Sequence, residues 1–191
     1  MYICQMDCLS IDRELFFFFN DSIHFALGDI VIPFFREKYF WVPLYVYLLF
    51  FLVFNYSYRS ILIIFAVLLI VAMADGLTSG LIKPLVARIR PCNDPALMQQ
   101  VNLLCACGGW SFPSSHAANH FGIATFFSHF FVNKNWVRFL FILWAMLICV
   151  AQLYVGLHYP SDIIVGALLG IIIASIVYLI YLQVAMKLKQ M

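Results

Sequence analysis

The chain has 191 residues, of which 65% are hydrophobic and only 10% are charged, and its mean hydropathy is +0.98. Soluble domains of this length do not carry so much apolar surface, whereas long uncharged runs are typical of membrane-spanning helices. A net charge of +2 argues against nucleic acid as a partner. The first ten residues lack a basic region and contain Asp7, which disfavours a cleaved signal peptide.

Residues 1–38 form a mixed and partly acidic N-terminal segment. Within it, residues 22–35 are apolar but are interrupted by Asp29 and Pro33. At about 14 residues this stretch is too short to cross a hydrocarbon core of about 30 Å. We therefore expect one or two helices that lie in the membrane interface.

Five later segments are long and apolar enough to span a bilayer. They cover residues 39–56, 60–84, 114–132, 136–155 and 160–184, and the longest polar connection between them is loop 91–113. The sequence thus predicts an all-α fold, a membrane helical bundle of about five transmembrane helices preceded by an interfacial segment. We expect a single domain over residues 1–191, with the bundle at 39–184.

Positive charge in the short connections predicts the orientation of the bundle, because cytoplasmic loops carry an excess of lysine and arginine. By parity, one side of the membrane receives Arg59, Lys134, Arg138, Lys187 and Lys189. That side should be the cytoplasm, although Arg36 and Lys38 on the other side count against this. We expect an integral protein of a bacterial inner membrane whose loop 91–113 faces the periplasm.

The same loop contains Cys92, Cys105 and Cys107. An oxidising compartment would permit a disulfide among them, and the sequence leaves the pairing open. Twelve residues separate Cys92 from the Cys-x-Cys pair, and the loop has no histidine, which is a poor match to a zinc site. No metal site is predicted.

Residues 155–162, Val-Gly-Leu-His-Tyr-Pro-Ser-Asp, form a polar patch between two apolar runs. Pro160 suits the first position of a helix, which leaves His158 just before the helix and Asp162 in its first turn. A carboxylate there is favoured by the helix dipole and can hold one ring nitrogen, leaving the other as a nucleophile or base. The pattern also fits an aspartate that merely caps a helix beside an interfacial histidine.

Cations accumulate where the second predicted span ends. Lys83 and Arg90 are seven residues apart, so a continuing helix places both on one face, with Arg88 pointing away. Ionisable side chains in or beside a span are usually functional. The alternative is that these residues merely extend to the membrane surface to keep their charges in water.

A third polar block follows loop 91–113. Pro113, Ser114 and Ser115 read as the start of a helix, with His116 in its first turn. Free N–H groups at a helix N-terminus bind anions, and His116 would lie close to an anion held there. An ordinary serine cap is the alternative interpretation.

The three blocks together suit phosphoryl transfer, because they place cations, N–H donors and two histidines at one membrane face. In order and spacing they resemble the type 2 phosphatidic acid phosphatase superfamily, whose signature is Lys-x6-Arg-Pro, Pro-Ser-Gly-His and Ser-Arg-x5-His-x3-Asp. This sequence has the blocks as Lys83-x6-Arg90-Pro91, Pro113-Ser114-Ser115-His116 and Ala151-Gln152-x5-His158-x3-Asp162. Ser115 therefore replaces a glycine, and Gln152 replaces an arginine.

The resemblance implies a lipid phosphatase that needs no metal and no cofactor. His158 would attack phosphorus and form a phosphohistidine, Asp162 would orient the ring, and His116 would protonate the leaving oxygen. The phosphoryl oxygens would be held by Lys83, Arg90, Ser114, Ser115 and Gln152. The implied substrate, presented from membrane lipid, is a lipid phosphate or diphosphate: polyprenyl diphosphate, phosphatidylglycerol phosphate, phosphatidate or lipid A phosphate.

Two departures from the signature qualify this expectation. Gln152 donates hydrogen bonds without charge, which weakens a contact to phosphate by about 1 kcal/mol and should slow catalysis without abolishing it. Ser115 is a mild change unless the backbone there needs a positive φ. A phosphotransferase that passes the phosphoryl group to another lipid, and a membrane binding protein that has lost catalysis, remain alternatives.

Overall fold

The computed structural model describes residues 2–190, and their side chains from residue 9 onward, as helices joined by turns and loops. The α-helices are α1 (Tyr2–Phe17), α2 (Ala26–Arg36), α3 (Val42–Tyr56), α4 (Arg59–Asp75), α5 (Lys83–Val86), α6 (Ser115–Phe130), α7 (Asn135–Tyr154) and α8 (Pro160–Gln190). Short π-helices cover Phe18–Ser22 and Gly76–Ile82, and 3-10 turns cover Lys38–Trp41 and Pro91–Asn93. The predicted all-α class is confirmed.

Within the described part of the chain, four helical stretches are long and apolar enough to cross a membrane. They are Lys38–Tyr56, Arg59–Asn93, Asn135–Tyr154 and Pro160–Gln190. The N-terminal pair Leu9–Ser22 and Ala26–Arg36 is bent by 118° and makes a fifth candidate if it counts as one broken span. The third predicted span is α6, which has 16 residues and is surrounded by α4, α7 and α8.

Glycines allow α6 and α8 to pack closely. A Cβ atom at Gly170 would overlap the carbonyl oxygen of Ala118, and one at Gly166 would overlap the carbonyl oxygen of Ser114. Small residues at helix contacts let backbones approach, which is a common way to hold helices together in membranes. The amide of Ser114 donates to the carbonyl oxygen of Asp162 at 3.0 Å, so the N-termini of the two helices are fixed side by side.

The helix that contains Lys83 ends earlier than predicted. Ala87 adopts a left-handed conformation with φ of 49°, which terminates α5, and Arg90 is extended as residues before proline usually are. The expectation that Lys83 and Arg90 share one face of a continuous helix was therefore wrong. The two side chains belong to different local structures, and the turn at Ala87 redirects the chain between them.

Loop 91–113 is held at both ends. Cys92 and Cys107 form a disulfide, which resolves the pairing that the sequence left open, while Cys105 is a free and partly buried thiol. Burial raises the pKa of the Cys105 thiol. The amide of Ser111 donates to the carbonyl oxygen of Arg88 at 2.8 Å, so the end of the loop is tied back to the segment that follows α5.

Candidate active site

His158 and Asp162 lie where the sequence predicts. Helix α8 begins at Pro160 with Asp162 in its first turn, and His158 is in the preceding loop. Nδ1 of His158 is 3.4 Å from Oδ2 of Asp162, and both side chains are almost completely buried. The other ring nitrogen, Nε2, is 3.5 Å from Nη1 of Arg90. The carboxylate thus occupies one side of the ring and leaves Nε2 on the side of the cations.

The carboxylate of Asp162 is fully engaged. It accepts hydrogen bonds from Nη1 of Arg88 at 2.6 Å, from the amide of Tyr159 at 2.8 Å and from the hydroxyl of Ser111. A buried carboxylate with this many donors is stable as an anion and fixed in position. The arrangement therefore fixes the orientation of Asp162 relative to the His158 ring.

Arg88 links Asp162 to the N-terminal segment. Its Nη2 donates to Oδ2 of Asp12 at 2.6 Å, and its guanidinium lies 4.0 Å from the ring centre of Tyr159. Asp12 also accepts from the amide and hydroxyl of Ser161, at 2.9 and 2.6 Å. The expectation that Arg88 points away from the site was wrong, because the helix on which it rested ends at Val86. Arg88 is committed to two carboxylates and is not free to bind phosphate.

Arg90 lies on the Nε2 side of His158, and Lys83 and His116 are close by. Nη1 of Arg90 is 3.4 Å from the carbonyl oxygen of Leu157, and Lys83 is near enough to interact electrostatically with Arg90. His116, in the first turn of α6, interacts in the same way with both His158 and Lys83. The structure therefore brings together the two histidines, the aspartate and both cations that the sequence singled out.

The serines at the start of α6 have structural partners. Ser114 is the N-cap of α6, and its side chain accepts from the amide of Ala117 at 3.4 Å. The hydroxyl of Ser115 contacts those of Thr78 and Ser79 at 2.9 and 2.8 Å. Ser115 lies in regular helix, without positive φ, so its replacement of glycine introduces no backbone strain.

Gln152 differs from the other predicted site residues because its side-chain amide makes no hydrogen bonds. Its side chain is completely buried in α7, and neither its amide oxygen nor its amide nitrogen has a hydrogen-bond partner. Its carbonyl oxygen accepts from the amide of Leu157 at 3.2 Å, so the residue lies next to the His158 loop. Buried polar atoms are normally paired, so the side-chain amide of Gln152 is free to bind a further partner.

Burial lowers the pKa of His158 from 6.5 to about 4, and the positive charge of Arg90 acts in the same direction. Asp162 opposes this shift without cancelling it. The imidazole is consequently neutral at physiological pH. With a proton on Nδ1 facing the carboxylate, Nε2 carries a free lone pair.

Sequence reasoning missed two residues that hold the site together, Asp12 and Ser111. Ser111 lies in loop 91–113, two residues before Pro113, and nothing local marks it as a partner of Asp162. The remaining histidines have structural partners. His24 pairs with Asp29 at 2.8 Å, His120 bonds the carbonyl oxygen of His116, and His129 stacks on Tyr178.

A cavity of about 600 Å³ extends from this site into the bundle. Ser115 and His116 line its polar end. Its walls are mainly apolar side chains of α3, α4, α6 and α7, among them Leu49 and Leu68, which are also exposed on the outer surface. The cavity therefore opens sideways between α3 and α4, toward the region that lipid occupies.

A buried histidine–aspartate pair that faces cations at the end of a lateral membrane cavity defines a membrane-bound enzyme of phosphoryl transfer. Comparison with known proteins agrees, since residues 61–185 match the model of the PAP2 superfamily. The chain belongs to this superfamily and is a membrane phosphatase.

Named relatives cover most of the chain. A lipid A 4'-phosphatase of Bacteroides thetaiotaomicron is 36% identical over 84% of this chain and 72% of its own length. A protein of the same name from Porphyromonas gingivalis is 33% identical over 91% of this chain and 74% of its own length. The crystal structure of LpxE from Aquifex aeolicus is similar with a TM-score of 0.67 and 32% identity, covering 87% of this chain and 94% of that one.

A second solved structure supports the fold alone. The PAP2-type phosphatidylglycerolphosphate phosphatase of Bacillus subtilis superposes with a TM-score of 0.70 at 22% identity, over 90% of this chain and 84% of that one. The resemblance inferred from the three sequence blocks is confirmed.

Proposed function

We propose that this protein removes a phosphate group from a lipid of the lipid A type, through a phosphohistidine intermediate and without a metal ion. The observation that carries the proposal is the cavity of about 600 Å³ that starts at Ser115 and His116 and continues between apolar walls. A substrate with a phosphorylated headgroup and acyl chains matches this division into a polar end and an apolar groove.

In the proposed first step, Nε2 of His158 attacks phosphorus and the bond from phosphorus to the lipid oxygen breaks. His116 donates a proton to the departing oxygen, and Asp162 stabilises the positive charge that develops on the His158 ring. Lys83 and Arg90 hold the phosphoryl oxygens as their negative charge redistributes.

In the second step, water attacks the phosphohistidine and His116 takes a proton from it. The bond from phosphorus to Nε2 breaks, inorganic phosphate leaves, and His158 returns to its neutral form. His116 thus acts first as an acid and then as a base, which restores the enzyme without a cofactor.

The lipid A assignment is supported by the two relatives named lipid A 4'-phosphatase, which match 84% and 91% of this chain. Other relatives are named phosphatidylglycerophosphatase B and undecaprenyl-diphosphatase, but they match 37% and 70% of it. A headgroup that carries phosphate on a saccharide is therefore the first substrate to test.

Metal independence is supported by the donor set. Within residues 9–190, no group of three or more histidine, cysteine, aspartate or glutamate side chains is placed to hold a metal ion. The positive charge that a phosphoryl group needs is instead available from Lys83 and Arg90.

We propose further that the site faces the periplasm. The disulfide between Cys92 and Cys107 supports this orientation, because disulfides form in oxidising compartments. A cysteine introduced at exposed Met98 in a Cys105→Ser background should react with an impermeant maleimide in spheroplasts. Reaction only after lysis would reverse the orientation.

The function is tested with purified protein in detergent, in excess EDTA, by measuring inorganic phosphate released from lipid A, phosphatidylglycerol phosphate, undecaprenyl diphosphate and phosphatidate. We expect release from lipid A to be fastest. Rapid quenching with a ³²P-labelled substrate should trap label on the protein, in a bond that acid hydrolyses and alkali does not.

The His158→Ala variant is the control for the nucleophile. It should trap no label and should lose at least about 10³-fold in turnover, as enzymes do when a nucleophile is removed. Equal release by His158→Ala would reject the nucleophile assignment. Transfer of the label to a second lipid instead of water would reassign the protein as a phosphotransferase.

A further inference from the structure

The N-terminal segment brings a third cation to the active site. Arg36 is the last residue of α2, and its guanidinium is close enough to Arg90, His116 and the Cys105 thiol to interact with each electrostatically. The arginine side chain is only 18% exposed, and its Nε is buried without a hydrogen-bond partner. A cation from a region more than 50 residues upstream of Arg90 in the chain thus lies within electrostatic range of His116.

Carboxylates oppose these positive charges only in part, since Asp162 acts on Lys83 and Arg90 and Asp75 acts on Lys83. Asp162 and Asp12 are both bonded to Arg88, on the other side of His158. Arg36 pairs with the carboxylate of Glu37, which is 3.0 Å away and about half exposed. Nε of Arg90, like that of Arg36, is buried without a partner.

Burying like charges beside one another costs free energy unless a counter-charge is present. The buried Nε donors of Arg36 and Arg90, which have no partner, therefore indicate that an anion completes this half of the site. A phosphoryl group, with three peripheral oxygens, offers enough acceptors for all three cations.

Gln152 explains why an additional cation is needed. Its buried amide can donate one or two hydrogen bonds toward the His158 loop but brings no charge. A charge that approaches from α2 can compensate for the neutral residue in α7.

We propose that Arg36 is a phosphate-binding residue of the active site, supplied by the N-terminal segment, and that it takes the place of the positive charge absent at Gln152. The proposal rests on the proposed function, because it assumes that the anion is the phosphoryl group of the substrate. It also gives α2 a part in catalysis in addition to its packing against α7.

The test compares Arg36→Gln, Arg36→Lys and Glu37→Gln by phosphate release from the lipid that the wild type prefers. Loss of a charge-assisted contact should lower kcat/KM of Arg36→Gln by about 10- to 100-fold. Arg36→Lys should retain most activity. Glu37→Gln should match the wild type, whereas a merely structural ion pair predicts equal losses in Arg36→Gln and Glu37→Gln and would overturn the proposal.

A second-site change sharpens the test. Gln152→Arg should restore kcat/KM to Arg36→Gln by about tenfold or more and should not raise that of the wild type, because the wild type already has its third cation. A Gln152→Arg change that raises the activity of both backgrounds equally would show that the two positions act independently, which overturns the compensation.

Binding of orthovanadate separates this inference from the proposed function. The shift in melting temperature with vanadate concentration should give a Kd for Arg36→Gln about 10-fold or more above that of the wild type. If no lipid phosphate is hydrolysed, weaker vanadate binding by Arg36→Gln still supports Arg36 as an anion ligand. Equal vanadate binding by the two proteins, with activity intact in both, rejects it.

Discussion

The two sides of the His158 ring differ in how completely their charged and polar groups are paired. On the Nδ1 side, Asp162 accepts from Arg88, Ser111 and Tyr159, and Arg88 also pairs with Asp12. Nδ1 itself is 3.4 Å from Oδ2 of Asp162 and does not meet hydrogen-bond geometry. On the Nε2 side, the donors of Arg90 and Gln152 include buried atoms with no partner at all.

This difference separates stability from function within one small region. A saturated network of buried charges holds its members in place, and removing one member leaves another buried and uncompensated. An unsaturated cluster of like charges destabilises the fold instead, because its members repel one another until an anionic ligand binds. We therefore expect the two sides to respond differently to charge removal.

The largest effect is expected for Asp162→Asn on the saturated side. An amide would orient the His158 ring poorly and would not stabilise the imidazolium, which should lower kcat by roughly 10³-fold or more. The loss of a carboxylate from Arg88 should also destabilise the fold by about 3 kcal/mol. Phosphate release and denaturation in detergent measure the two quantities, and full stability in Asp162→Asn would contradict the idea of a structural network.

Arg90→Gln, on the unsaturated side, should lower catalytic activity without lowering stability. Loss of a preorganised cation should lower kcat/KM by about 10²- to 10³-fold. The melting temperature should change little, because relief of the repulsion from Lys83 and Arg36 offsets the lost attraction to Asp162. A marked drop in melting temperature would mean that Arg90 is mainly structural and would remove the contrast between the two sides.

A smaller effect is expected for Asp12→Asn, which acts on the saturated side from a distance. Asp12 is buried and bonds Arg88 and Ser161, so the change should destabilise the fold by about 1–3 kcal/mol. Because Asp12 acts through Arg88 and Asp162, kcat should fall by several-fold while KM changes little. Glu14→Gln, an exposed position on the same helix, is the matched control and should leave both quantities unchanged.

The finest test concerns protonation of His158. Its pKa is lowered to about 4, so the neutral form should persist as the pH falls from 7 to about 5. The ring ¹⁵N signal, assigned by its absence in His158→Asn, should titrate well below the midpoint near 6.5 expected for the unfolded protein. A midpoint near 6.5 in the folded protein would mean that the ring is not shielded from water.

Features that depend on neighbouring residues could be predicted from the sequence, whereas features that depend on distant contacts could not. His158 and Asp162 were placed correctly because Pro160 fixes the start of α8 locally. Lys83 and Arg90 lie close together near His158 as predicted, but the geometric reason for that prediction was wrong, since the left-handed turn at Ala87 cannot be predicted from an alanine. The same turn brings Arg88 to Asp162.

Contacts with the N-terminal segment were beyond the reach of the sequence. Asp12 contacts Ser161, 149 residues later, and Arg36 was interpreted only as evidence about membrane orientation. No local pattern marks either residue, because their roles depend on how α1 and α2 pack against the ends of α7 and α8. Functional residues that are distant in the chain and irregularly spaced are the ones that sequence patterns miss.

The sideways opening between α3 and α4 has a kinetic consequence. A substrate that enters through this opening arrives by diffusion within the plane of the bilayer, so its effective concentration is its mole fraction among the lipids. Adding inert detergent or phospholipid at constant total substrate should therefore slow the reaction by surface dilution. The velocity should follow the composition of the micelle or vesicle, and only secondarily the amount of substrate per litre.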